Sequence, residues 1–257
     1  MVTARPSHEH PYLAPHFNNQ FIAFAHRGGT DQLPENTIPA FRHAVELGYR
    51  YLETDVQLTR DGYLVAFHDN DLFRTCGTKG RINEMTWQEI SRARVDGKEP
   101  IPLLSDLLEE FPEAFLNIDS KSDPTVQPLI DVLKKTNALP KVCIGSFSHK
   151  RISQFRAALG DQVCTSASPV EVVRWMAGKV PSEPSCFQVP VRQGPVPVVT
   201  SRTVRSAQVA GKPIHVWTID VAHDMQRLID LGVDGLMTDQ SITLKKVLEA
   251  NNLWTHI

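Results

Sequence analysis

The chain has 257 residues, of which 41% are hydrophobic and 22% charged, a length and balance that suit one large soluble globular domain. Its 27 basic and 29 acidic residues leave a formal charge of −2, which excludes a general attraction to nucleic acid or to an anionic membrane surface. Cys76, Cys143, Cys164 and Cys186 show no C-x-x-C spacing and sit in or beside apolar runs. They are expected to be reduced core residues, forming neither a zinc site nor a disulfide framework.

Residues 1–20 hold three prolines and the histidines His8, His10 and His16, with no apolar stretch of signal-peptide length. They are expected to form an irregular polar N-terminal arm ahead of a single domain over 21–257. No apolar run is long enough to span a bilayer, so a soluble, cytoplasmic protein without stable membrane insertion is expected.

Residues 21–25 (FIAFA) form a short apolar run, hence a buried strand that delivers His26-Arg27-Gly28-Gly29 at its end. Asn36 or Thr37 then caps a helix with Ile38, Phe41 and Val45 on its apolar face, ended by Gly48. The next strand, from Tyr51, carries Glu53 and Asp55 two residues apart, so both side chains leave the same face. Residues 64–67 follow too closely for a helical crossover, which leaves either a local hairpin or an unusual bare loop. They deliver His68-Asp69. Residues 70–100 break the rhythm as a small insertion containing a capping box, Thr86 to Glu89.

From Phe115 onward strands and helices alternate regularly. Strands are expected at 115–120, 142–146, 163–166, 185–189, 213–219 and 235–238, with helices between them and a last helix at 241–250. The helix after Ser168-Pro169 is given Val170, Val173 and Ala177 as its apolar face. Sustained alternation predicts an α/β fold, a (β/α)8 TIM barrel with a small insertion after the third strand. Nine strand candidates are one too many. The surplus is expected in the opening stretch or at the C-terminal end.

Barrel chemistry sits at the C-terminal ends of the strands. That mouth collects His26 and Arg27, Glu53 and Asp55, His68 and Asp69, and the same-face pair Asp119 and Lys121. Hard carboxylate oxygens suit Mg²⁺ or Ca²⁺. Arg27 and Lys121 suit an anionic substrate, with phosphate the obvious anion beside a divalent cation. Two histidines can divide general base and general acid work at phosphorus. Neither a phosphate-cradling GxxxxGK[ST] nor a G-x-S-x-G motif is present.

His26-Arg27-Gly28, Pro34-Glu35-Asn36-Thr37, Glu53-Thr54-Asp55-Val56 and His68-Asp69 resemble, in order and spacing, the signature of the glycerophosphodiester phosphodiesterase family. The likeness continues through Arg74-Thr75, Gly80, Ile101-Pro102, Lys121, Ser146-Phe147, Val216-Trp217-Thr218 and Gly232-Val233-Asp234-Gly235. The resemblance implies hydrolysis of a glycerophosphodiester, such as glycerophosphocholine, to glycerol 3-phosphate and an alcohol. It implies His26 and His68 as the acid–base pair and Glu53, Asp55 and Asp119 as ligands of one Mg²⁺ or Ca²⁺. Arg27 and Lys121 become phosphate binders. Where the family usually has Glu, this chain has Asp119, one methylene shorter.

Other readings accompany this one. Glu35 is a helix-start charge or a supporting partner, and Asp69 orients His68 or caps the insertion. Phe147 and Trp217 are barrel packing or an apolar wall for the glycerol. Asp239 is expected to cap the last helix rather than to join the chemistry. His43, His149, His215 and His223 lie in no cluster and receive no role. Alternative functions are a phospholipase D-like or cyclising phosphodiesterase on lysolipids, and a barrel that binds phosphorylated ligands without turnover.

Overall fold

A computed structural model of the chain describes residues 10–254. Eight parallel strands form the barrel: β1 (Ile22–Ala25), β2 (Tyr51–Leu58), β3 (Phe115–Ser120), β4 (Val142–Gly145), β5 (Cys164–Thr165), β6 (Phe187–Pro190), β7 (Ile214–Trp217) and β8 (Gly235–Thr238). Neighbours in sequence pair in space, β1 also pairs with β8, and a parallel bridge from Ser166 to Cys186 joins the β5 and β6 sides. The ring therefore closes. Eight helices cover it: α1 (Ile38–Leu47), α2 (Leu104–Glu110), α3 (Val126–Lys135), α4 (His149–Leu159), α5 (Pro169–Met176), α6 (Ser201–Val209), α7 (Ala222–Leu231) and α8 (Ser241–Ala250).

Strand alternation divides the core in two. Leu52, Val56, Leu116, Ile118, Val142, Ile144, Val216 and Leu236 face outward and pack under the helices. Phe24, Tyr51, Cys143, Cys164, Cys186 and Met237 form a separate cluster with the N-terminal Tyr12 and Leu13. At about 25 cal/mol per Å², burying each large apolar side chain contributes roughly 1.5–3 kcal/mol, and the outer layer collects many of them.

The surplus strand is Leu64–Ala66, not an element at either end of the chain. It folds back antiparallel on the end of β2, pairing Val56 with Ala66 and Leu58 with Leu64. Five residues separate these strands, enough for a turn and too few for a parallel crossover. The insertion grows from this hairpin around its own core of Val65, Phe67, Leu72, Ile82, Ile90, Val95 and Ile101. The Thr86–Glu89 capping box forms as expected. Helix α2 has no counterpart in the sequence reading. It is only seven residues long, and its N-cap, Leu103, offers no capping side chain.

Two further expectations change. Residues 11–17 are two helical turns, not an irregular polar arm, and Tyr12 and Leu13 are fully buried. The Tyr12 ring stands edge-on to Tyr51 at 5.1 Å and to Phe115 at 5.8 Å, closing the N-terminal end of the barrel. His8 lies outside the described residues. In α5 the buried side chains are Glu171 and Trp175, while Val170 and Val173 are 44% and 66% exposed. Trp175 stacks on Phe187 at 4.2 Å, and Arg156 and the Ser168 cap hold Glu171, so these two residues set the helix rotation. Among the described residues, no helix is long and apolar enough to cross a membrane.

Candidate active site

The register of β2 against β3 sets Glu53 beside Asn117 and Asp55 beside Asp119. All four side chains are buried and line one cavity. Lys121 lies one residue beyond β3. Its Nζ stands 2.8 Å from Asp55 Oδ1 and 2.9 Å from Asp119 Oδ2, so one ammonium bridges the two carboxylates. Arg27 follows β1 in a tight turn with a left-handed backbone at Arg27, Gly28 and Gly29. A Cβ on Gly29 would fall 2.0 Å from Ser241 Oγ, so that position has no room for a side chain. The turn lets the Arg27 N–H donate to Glu53 Oε2 at 3.1 Å, while Nε lies 3.2 Å from Asp55 Oδ2 and Nη1 donates to Glu35 at 3.0 Å.

Each of the two histidines is held at Nδ1 by a carboxylate. Asp239 binds His26 at 2.8 Å, and Asp69 binds His68 at 2.6 Å. Nε2 of His26 faces Glu53 Oε2 at 3.6 Å. The Asp239 contact corrects the helix-cap expectation: α8 is preceded by Gln240 without a side-chain cap, and Ile242 N–H is accepted by Asp31 instead. Asp239 is itself set by Asp220, whose Oδ1 accepts from the Asp239 N–H at 2.8 Å and from the Thr238 hydroxyl at 3.0 Å. Asp69 and Glu35 share Arg74, which donates to Asp69 at 2.5 Å and to both oxygens of Glu35 at 2.7 Å. The insertion thus clamps the loop that carries Glu35.

The electrostatics follow from this crowding. Burial, then the Asp55 charge, pushes the Glu53 carboxyl up to about 7, against the pull of His26, Arg27 and Lys121. Asp55 goes the other way: burial opposes ionisation, but Lys121, Arg27 and His68 outweigh it and hold the carboxyl below its ordinary value. Burial also works against a charged His26, yet Glu53 and Asp239 prevail and raise it. Lys121 is raised despite burial because Asp119 and Asp55 both face it.

Three carboxylates with hard oxygens fit a divalent cation by donor type. Asp119 Oδ1 is buried with no hydrogen-bond partner among the described residues, which is what an oxygen reserved for a cation would show. The three are not drawn into a tight cage. Among the described residues, the only group of three or more His, Cys, Asp or Glu ligand atoms all within 4.8 Å of one another is Cys143, Cys164 and Cys186.

His26, Arg27, Glu53, Asp55, His68, Asp119 and Lys121 all line one cavity of about 460 Å³. Phe147 and Trp217 line it too, their rings in edge contact at 5.8 Å, with Phe147 65% exposed. One flank is apolar, built from Pro169, Val172, Val173 and Met176 at the start and outer face of α5. The lining also has a polar part, where Gln188 Nε2 donates to Asn117 Oδ1 at 2.9 Å. Gln188 was invisible to sequence reasoning; its one signal is a polar residue inside an apolar strand.

A sequence profile of the glycerophosphoryl diester phosphodiesterase family matches residues 26–243. The chain belongs to this family. The probable glycerophosphodiester phosphodiesterase 2 of Mycobacterium tuberculosis is 37% identical over 244 residues, covering 91% of this chain and 92% of that protein. A glycerophosphodiester phosphodiesterase of Caldanaerobacter subterraneus subsp. tengcongensis is 32% identical over 87% of this chain and 96% of its own. Among solved structures, an Oleispira antarctica phosphodiesterase in complex with the product sn-glycerol-3-phosphate superposes with a TM-score of 0.76. It is 21% identical, covers 91% of this chain and 99% of its own, and shares the fold. This glycerophosphodiester phosphodiesterase is therefore a phosphoric diester hydrolase built on a TIM barrel, and the passive phosphate-binding alternative falls away.

Proposed function

We propose that the enzyme hydrolyses small glycerophosphodiesters, such as glycerophosphocholine or glycerophosphoethanolamine, to glycerol 3-phosphate and the free alcohol, with His26 and His68 as the acid–base pair. One observation carries this reading: two histidines, each held at Nδ1 by its own carboxylate, line one cavity with Arg27 and Lys121. Displacement at phosphorus takes a proton from the incoming oxygen and returns one to the departing alcohol oxygen, and two fixed imidazoles can supply both transfers. Arg27 and Lys121 balance the phosphoryl charge, Arg27 offering a planar fork and Lys121 a point charge.

Glu53, Asp55 and Asp119 would hold one Mg²⁺ or Ca²⁺. Bound there, the cation would polarise the phosphoryl oxygens as a Lewis acid. The chain's own part is to present the three carboxylates, with Glu53 poised to release its proton when positive charge arrives, and to keep Lys121 between Asp55 and Asp119. The test is release of glycerol 3-phosphate from a panel of glycerophosphodiesters with Ca²⁺, with Mg²⁺ or with chelator. His26→Ala and His68→Ala are each expected to fold normally and to lose roughly 100- to 10,000-fold in kcat. Undiminished turnover in either variant overturns the assignment.

The apolar flank favours a second substrate class, lysolipids cleaved on the head-group side of the phosphate. Val173 and Phe147 are 66% and 65% exposed on the same cavity as the histidines, a surface with no use for a polar head group. Comparing choline release from lysophosphatidylcholine and glycerophosphocholine separates the two classes.

A further inference from the structure

We propose that Cys143, Cys164 and Cys186 form a buried site for a thiophilic divalent ion, Zn²⁺ by preference, with His215 as the fourth donor, in the barrel interior and apart from the carboxylate site at its mouth.

The three cysteines come from consecutive units of the barrel. Cys143 is in β4 and Cys164 in β5, paired directly across the sheet, and Cys186 bridges to Ser166 immediately before β6. They recur 21 and then 22 residues on, one per strand–helix unit, and His215 occupies the next strand, β7. All four side chains are 0% exposed. The three sulfurs lie within 4.8 Å of one another, with Cys143 and Cys186 at 3.9 Å. That separation is far too long for a disulfide of about 2.05 Å. It matches the edge of a tetrahedral zinc site, where Zn–S bonds of about 2.3 Å set sulfurs roughly 3.8 Å apart.

His215 supplies an independent observation. Among the described residues, both of its ring nitrogens are buried without a hydrogen-bond partner, a costly state for an imidazole. The backbone makes room for that ring: a Cβ on Gly235 would fall 2.9 Å from His215 Cδ2. Three thiolates and a neutral imidazole are the donor set of a closed structural zinc site.

The site also has a lid. Tyr12 and Leu13 belong to the same buried cluster as the three cysteines, so the ion enters before the N-terminal turn docks. Binding releases the protons of the thiols and ties four neighbouring strands together.

The test uses the full chain, refolded under reducing conditions with Zn²⁺ or Co²⁺ and dialysed against EDTA to clear the carboxylate site, which opens into the cavity. About one zinc per chain is expected to survive dialysis, and the cobalt form is expected to show thiolate-to-cobalt charge-transfer absorption in the near ultraviolet. Cys164→Ser should lose the ion to chelator at least about tenfold faster. Glu53→Gln should retain it. If Cys164→Ser fails to fold, the wild-type cobalt spectrum still decides. A refolded chain that takes up no EDTA-resistant metal and shows no charge-transfer band overturns the proposal. So does the loss of two of the four titratable thiols to a disulfide in the isolated protein.

Discussion

Glu53 and Asp55 are two residues apart on one strand and have opposite fates, because their partners differ rather than their burial. Lys121 and Arg27 touch Asp55, whereas Glu53 has a backbone N–H and a histidine at 3.6 Å. Without a divalent cation the Glu53 carboxyl is thus held toward its protonated form. Its folded value is raised from the ordinary 4.5 to about 7, so its stabilising contribution is complete below 4.5 and is lost as pH rises through 7. In EDTA, wild type should therefore lose stability relative to Glu53→Gln across that window, by at most on the order of 3 kcal/mol. Denaturant unfolding of both proteins at a series of pH values measures it, and a difference that stays flat from pH 4.5 to 7 would contradict the account. At this scale the sequence was informative where a charged side chain interrupts an apolar run, as at Glu53, Asp55 and Asp119. It was silent on the bond between His26 and Asp239, which are 213 residues apart and meet only because β8 closes on β1.

At the scale of elements, long buried strands and capped helices could be read from the chain, and elements set by tertiary contact could not. Leu64–Ala66 looked like a stave because its three apolar residues carry no mark of direction, and only the short link to β2 favours the hairpin. In helix α5 the helical spacing of the valines points to the wrong inward face, because the Trp175–Phe187 stack and the Arg156–Glu171 pair determine what turns inward. Of the valines turned outward, Val173 lines the cavity, so Val173→Asp serves as a probe of that wall. It should leave hydrolysis of glycerophosphocholine within a factor of about two, since surface substitutions cost little in stability. Turnover of lysophosphatidylcholine should fall by roughly tenfold or more as one apolar contact with the chain is replaced by a charge. Equal effects on the two substrates would remove α5 from substrate selection.

Across the whole molecule, the barrel separates stability from chemistry by its two ends. The carboxylates, histidines and cavity occupy the C-terminal ends of the strands, and the N-terminal end is closed by Tyr12 and Leu13 over an aromatic layer. The (β/α)8 plan was legible because each unit repeats an apolar strand and an amphipathic helix. The plug was not, because two buried residues among prolines and histidines have no period. Tyr12 is fully buried, packs edge-on to Tyr51 and Phe115, and accepts the Tyr51 hydroxyl at its carbonyl at 2.5 Å. Tyr12→Ala should then cost about 3–5 kcal/mol by opening a cavity under the barrel floor. Its kcat and KM at a temperature where it remains folded should match wild type, because the rings it packs against, Tyr51 and Phe115, do not line the cavity. Chemical denaturation and steady-state kinetics on the same preparation separate the two effects. A variant of unchanged stability would show that the N-terminal turn is not a structural plug, and a variant with wild-type stability but lowered kcat would place it in the chemistry instead.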